Sequence, residues 1–169
     1  YTGGSADDTV VVGDGAGDAI TTGIDNTFIG DNAGTATTEG SYNTAVGNQS
    51  LAGNTTGSYN TGLGYRALED NTTGVRNTGV GRLSIGNNTT GDYNVGVGYS
   101  SLAANTTADD NTALGYSALA SNTTGTRNTA VGRSAGETMT TAEDSTFVGR
   151  QAGKATTTGS GNTAVGKDA

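Results

Sequence analysis

From Asn43 to Arg76 the chain reads NTAVGNQSLAGNTTGSY and then NTGLGYRALEDNTTGVR. These two 17-residue blocks agree at Asn, Thr, Gly, Leu and a whole Asn-Thr-Thr-Gly run. Stepping by 17 sets copy starts at Thr9, Asn26, Asn43, Asn60, Asn77, Asn94, Asn111, Asn128, Ser145 and Asn162, with no insertion or deletion in ten copies. Nothing else in the sequence limits the fold as strongly. A unit this short cannot bury a face alone and must stack on its neighbours. Strict columns require coils in register, with each residue above its counterpart at about 4.8 Å, the spacing of adjacent strands.

The columns assign the coil. The fourth is branched and apolar throughout (Val12, Ile29, Val46, Leu63, Val80, Val97, Leu114, Val131, Val148, Val165) and is expected to point inward. The fifth is Gly in all ten copies, Gly47 among them, which implies positive φ or a close backbone approach. The eighth is only Ala or Ser, a tight interior position. Thr55 and Thr72 head a column that is Thr in all nine copies reaching it, followed by one that is Thr in eight, with Glu39 the exception. Val and Thr favour strands while Gly and Asn suit corners. The expectation is an all-β parallel solenoid, 1–169 in one region, with two short strands per coil near Thr-Ala-Val and Asn-Thr-Thr. Ten such coils make a rod roughly 48 Å long.

Two columns trade volume. Where the ninth is Leu51, Leu68, Ile85, Leu102 or Leu119, the third is Ala or Gly; where the third is Val11, Phe28 or Phe147, the ninth is Gly. Close packing of two sites sharing one space produces this pattern. Ala130 with Gly136 is small twice, and Met139 is expected to fill that gap. The twelfth column follows the same switch: Asn54, Asn71, Asn88, Asn105 and Asn122 accompany Leu or Ile, and Ile20, Thr37, Met139 or Thr156 accompany Gly. Val46, Gly47, Asn54, Thr55, Leu68, Asn71 and Thr72 are the expected structural ladders.

Composition narrows function. The chain has 169 residues, 30 of them Gly, no His, Cys, Pro or Trp, and 31% hydrophobic residues. Without His or Cys most familiar catalytic and transition-metal chemistry is absent, and no enzyme is expected. A net charge of −8 disfavours nucleic acid as a partner. No apolar run approaches the roughly 20 residues of a membrane span. The chain begins and stops inside the pattern and reads as a fragment of a longer fibrous protein. About three apolar side chains per coil barely offset ordering entropy, so several chains, three in the preferred form, are expected to associate.

Three surface features carry candidate functions. Asp7, Asp8, Asp14, Asp18, Asp25 and Asp31 precede any base and leave a single Ca²⁺ near the N-terminus open, although later copies carry Asn48, Tyr65 and Arg82 where a repeating site needs acids. No cofactor is otherwise expected, and solvated acidic surface is the favoured reading. The Thr columns could form an ice-ordering hydroxyl array, but only one Thr of each adjacent pair can face outward, and strand propensity explains them. Tyr42, Tyr59, Tyr65, Tyr93, Tyr99 and Tyr116, with Arg82 and Arg133, fall in the sixth and seventeenth columns. These types are favoured at binding surfaces and offer contact to a glycan or protein receptor; covering of Gly-rich turns or packing between subunits is the alternative. The Asn-Thr-Thr runs match a glycosylation pattern five times, which one copied Asn ladder explains.

NTAVG…SL…NTTGSY and NTFIG…AG…TT, an apolar residue followed by Gly and then a small residue three positions on, resemble repeats of phage tail-fibre-like proteins and of the heads of YadA-type trimeric autotransporter adhesins. The resemblance covers essentially the whole chain, with a unit longer than the usual adhesin-head repeat. It implies a trimer of left-handed parallel β-rolls on a virion or bacterial surface, flanked by fibre or adhesin domains and serving spacing and attachment. An ice-binding solenoid and a self-assembling extracellular filament are the other expectations.

Overall fold

The computed structural model describes residues 8–169. Ten three-residue strands, β1 (Val10–Val12), β2 (Thr27–Ile29), β3 (Thr44–Val46), β4 (Thr61–Leu63), β5 (Thr78–Val80), β6 (Val95–Val97), β7 (Thr112–Leu114), β8 (Thr129–Val131), β9 (Thr146–Val148) and β10 (Thr163–Val165), form one parallel sheet in chain order. Each strand pairs with the next in a 17-residue register, as in Thr44 with Thr61, Ala45 with Gly62 and Val46 with Leu63. The expected β-solenoid is the fold. No helix among the described residues is long and apolar enough to cross a membrane.

Each coil carries one strand, not the two expected. At the Asn-Thr-Thr segment the N–H groups of Thr38, Glu39 and Gly40 all donate to the single carbonyl of Thr55, at 2.9, 3.2 and 3.3 Å. Three successive donors aimed the same way form a bend, which breaks the alternation a strand requires. The segment still ladders, because Thr55 N–H and Oγ1 both donate to the carbonyl of Thr72, and Thr72 does the same to Thr89.

The fourth column also departs from expectation. It points outward: Leu63, Val97, Leu114 and Val148 are each 37% exposed, Ile29 is 38%, and Val46 is half-buried. Adjacent strand residues face opposite sides, and the third column occupies the interior, with Phe28 fully buried and Phe147 at 1%. The traded volumes are therefore those of the third and ninth columns, as the sequence indicates. A Cβ on Gly34 would lie 2.7 Å from the Phe28 ring, and one on Gly96 would lie 2.7 Å from Ile85. Met139 is buried, yet the space beside Gly136 is closed by Leu119 and Phe147 of the neighbouring coils, each 2.9 Å from a Cβ placed there.

The Asn residues are interior rather than at corners. Asn60 and Asn71 of one coil both donate to the carbonyl of Gly74, at 2.8 and 3.0 Å, drawing the two ends of the coil together. Between coils, Asn71 donates to Asn54, Asn88 to Asn71, Asn105 to Asn88 and Asn122 to Asn105. This ladder stops where Met139 succeeds Asn122, whose Oδ1 is left without a partner. All five Asn of the glycosylation-like motifs are fully buried.

Both reasons for the Gly column hold at once. Gly98 has φ +130° and a Cβ there would meet the carbonyl oxygen of Gly115 at 2.6 Å. Gly98→Ala should destabilise the rod by about 2–4 kcal/mol, whereas Gly86→Ala, whose Cβ would meet nothing closer than 3.5 Å, should lie within about 1 kcal/mol of the parent. Urea unfolding followed by circular dichroism checks the pair.

The ladder makes a second comparison. Asn88→Ala strands donors and acceptors on both sides and should cost about 2–3 kcal/mol. Asn122→Ala, at the ladder's unpartnered end, should cost measurably less on the same unfolding curve.

Candidate recognition face

Outward side chains recur every second residue across the strand and its two flanks. One row reads Tyr59, Thr61, Leu63 and Tyr65; the next reads Arg76, Thr78, Val80 and Arg82; the next reads Tyr93, Val95, Val97 and Tyr99. Asn60, Gly62 and the rest of the intervening column set face inward. The result is a long face with an aliphatic column and a half-buried, mostly Thr column at its centre. Two rims border it, the seventeenth column on one side and the sixth on the other.

The sequence-selected Tyr and Arg side chains are all exposed and all lie on these rims. On one rim Tyr42 and Tyr59 stack with centroids 4.9 Å apart and planes 6° from parallel. Arg76 continues the stack, 5.4 Å from the Tyr59 centroid and 5.3 Å from that of Tyr93, and its guanidinium donates to the Tyr93 hydroxyl at 2.6 Å. On the other rim Arg82 lies between Tyr65 and Tyr99, at 5.6 and 5.3 Å, Tyr99 stacks on Tyr116 at 5.1 Å, and Arg133 closes over Tyr116 at 5.7 Å. Stacking coils at one strand spacing places these groups within the separation that aromatic and cation–π pairs favour.

The stacks have a chemical consequence. Ring faces are turned along the rod toward the next residue, so solvent meets phenol edges, hydroxyls and guanidinium groups. A sugar seeking a bare aromatic face finds Tyr59 and Tyr99 covered on both sides. Arg76, on the same rim as Tyr59, belongs to the ladder as fully as the Tyr residues and is visible in the sequence by its column. The aliphatic column lies outside the core that its apolarity implies, and its alternation with the third column is the signal for that.

Among the acidic candidates, Asp31 takes a structural role. Asp31 accepts from Asn32 at 3.0 Å and from Asn48 at 2.8 Å, so its carboxylate is bound within the chain. No group of three or more metal-ligating side chains occurs among the described residues, and Asp7 lies outside them. Asp109 accepts the backbone N–H of Asp92 at 2.7 Å. Glu143 and Asp144 both hold Arg127, at 2.9 and 2.6 Å.

The Thr columns divide as alternation requires. The first Thr of each pair, Thr55 or Thr72, donates its hydroxyl to the backbone of the next coil, and the second, Thr56 or Thr73, is exposed. The Thr of the strand, such as Thr61 and Thr78, is half-buried between the rims.

Arg127 hydrogen-bonds Asp144 and holds its carboxyl below the usual carboxylate range, while Arg127 itself is raised by the same bond. A depressed carboxyl contributes stability above its unfolded value that is lost as pH falls through the folded one. An NMR titration should place the Asp144 midpoint below that of ordinary Asp, and Arg127→Gln should return it to the ordinary range. No protein-family model, curated protein or solved structure matches the chain.

Proposed function

We propose that the chain is the structural rod of a trimeric phage tail fibre or bacterial cell-surface adhesin, acting outside the cell in spacing and attachment. The reading is non-enzymatic. Stacked coils locked by backbone hydrogen bonds carry a flanking binding domain at a distance from the particle.

The observation that supports it is the outer aliphatic column. Val12 to Val165 forms a continuous line of branched side chains along the rod, seven of them more than a third exposed. Monomeric soluble proteins rarely leave so long an apolar strip uncovered. With its rims the face measures about 20 by 48 Å, on the order of 900 Å², against roughly 800 Å² per partner in a stable interface. Convergence of several copies on this face supplies the core that one coil lacks.

The ice-binding alternative draws less support. The Thr hydroxyls at the first position of each pair are spent on backbone carbonyls, and the strand Thr column shares its face with Tyr and Arg. Thermal hysteresis in solution would revive it.

Sedimentation equilibrium tests the assembly. Three chains of 16.6 kDa give 3 × 16.6, about 50 kDa. Val97→Lys with Leu114→Lys should yield monomers whose circular dichroism keeps the parent shape, since both side chains point away from the coil interior. A parent chain that sediments as a stable monomer overturns the trimer.

A further inference from the structure

The two rims carry matched residues in the same row: Asp8 with Asp14, Asp25 with Asp31, Tyr59 with Tyr65, Arg76 with Arg82, Tyr93 with Tyr99 and Arg127 with Arg133. Members of a pair lie six residues apart along an extended segment, about 20 Å, and do not meet within one chain. Their match matters only where the rim of one copy meets the opposite rim of another.

Consider two parallel copies, the sixth-column rim of one against the seventeenth-column rim of the next. With coils level, Asp meets Asp twice and Arg meets Arg twice, and the one opposite-charge pair is Arg150 with Asp144. Displacing the neighbour by one coil changes the pairing to Tyr65 with Arg76, Arg82 with Tyr93, Tyr99 with Asp110, Tyr116 with Arg127 and Arg133 with Asp144. Only Asp14 with Asp25 then faces like charge. The opposite displacement pairs Arg133 with Asp110 and Lys167 with Asp144 and sets Arg82 on Tyr59 and Tyr99 on Arg76. It has two like-charge contacts, Arg150 on Arg127 and Asp31 on Asp8, against one, and one Tyr–Arg pair fewer. Within each chain Arg76 and Arg82 already alternate with rings along the rod, and the favoured displacement extends that alternation across the contact, where guanidinium donors meet the phenol hydroxyls and edges left outside the stacks.

We propose that the Tyr and Arg rims set the register of assembly, with neighbouring copies packed in parallel, rim against opposite rim, and displaced by one coil so that Tyr65 meets Arg76 of the next copy. This rests on the self-association reading above. Such a contact is head-to-tail and closes into a ring when the rotation permits. One coil of displacement across the face corresponds to a tilt of about 13° of each rod from the common axis, from a 4.8 Å rise over about 20 Å.

The chain contains no Cys, which makes disulfide trapping clean. Three double variants share one site: Tyr65→Cys with Arg76→Cys, with Tyr59→Cys, or with Tyr42→Cys. None can bridge within a chain, because a disulfide needs Cα atoms within about 7 Å. Mild oxidation and non-reducing electrophoresis should show covalent oligomers in the first variant at about ten times the level in the other two. Tyr116→Cys with Arg127→Cys, against Tyr116→Cys with Asp110→Cys, repeats the comparison at a second place should the first set fold poorly. Bridging through Tyr59 or Asp110 overturns the displacement but leaves association standing, and bridging through Tyr42 overturns its direction. Oligomers by sedimentation without any bridge overturn the rim contact, and monomers without any bridge overturn both the register and the reading beneath it.

Discussion

The structure depends on hydrogen bonding between each coil and the coils above and below at a single spacing. In the coil from Asn60 to Arg76, Gly64, Arg66 and Arg76 donate backward to Val46, Asn48 and Ser58, while Thr61, Leu68, Asp70 and Thr72 donate forward to Asn77, Ser84, Gly86 and Thr89. Every coil between the two ends is thus held from both sides through most of its circuit. That spacing brings Gly64 against Gly81 so closely that no Cβ fits, and it leaves room for only Ala or Ser in the eighth column. An inserted residue would reverse the in–out parity of everything after it until the next turn. The absence of any insertion over ten copies follows from that penalty.

The interior is correspondingly economical. Between the end coils its apolar part is one large side chain per coil, Leu or Ile from the ninth column, Phe from the third or Met139 from the twelfth, with small Ala and Ser residues, and the remainder is largely carboxamide. Buried Asn is favourable here because every donor finds a carbonyl: Asn60 and Asn71 converge on Gly74, and each Asn of the twelfth column lies in line with the next. Buried polar groups stabilise only when satisfied, and the ladder meets that condition along its length except at Asn122. The switch from Asn to Ile, Thr or Met has the same origin as the volume trade. Where the ninth column is Gly, larger side chains of the same or the next coil take the space, as Ile20 and Phe28 do around Gly17.

Repetition made most of this legible, since ten copies of one coil act as their own alignment. Register, the Gly column, the small eighth column and the traded volumes all follow from comparing columns. Apolarity alone implies burial for the aliphatic column, yet the column faces outward. The trade between the third and ninth columns already placed the third inside, and the strand period then sends the fourth out. Left-handed backbone was only half visible. Gly announces it in the fifth column, but Leu51, Leu68 and Ile85 adopt φ between 52° and 54° with no such flag. The one hint is that their column turns to Gly in the coils bearing Phe28 and Phe147. The single strand per coil was hidden because Thr-Thr has strand propensity, and only the convergence of three N–H groups on one carbonyl reveals a bend.

A division of labour between columns explains how such a rod acquires specificity. Inward columns are invariant or change in concert, as the third, ninth and twelfth do, because every change is felt by the coils on both sides, whereas the sixth and seventeenth columns vary from Asp to Tyr to Arg without altering the coil. These rims can therefore carry a message written at one residue per strand spacing. What they say is limited by their own stacking: ring faces are consumed within the chain, leaving a periodic array of hydroxyls, guanidinium groups and carboxylates. A partner that reads such an array efficiently must present complementary groups at the same interval of about 4.8 Å. Another copy of the rod has that interval by construction, and its opposite rim has the complementary groups once displaced by a coil.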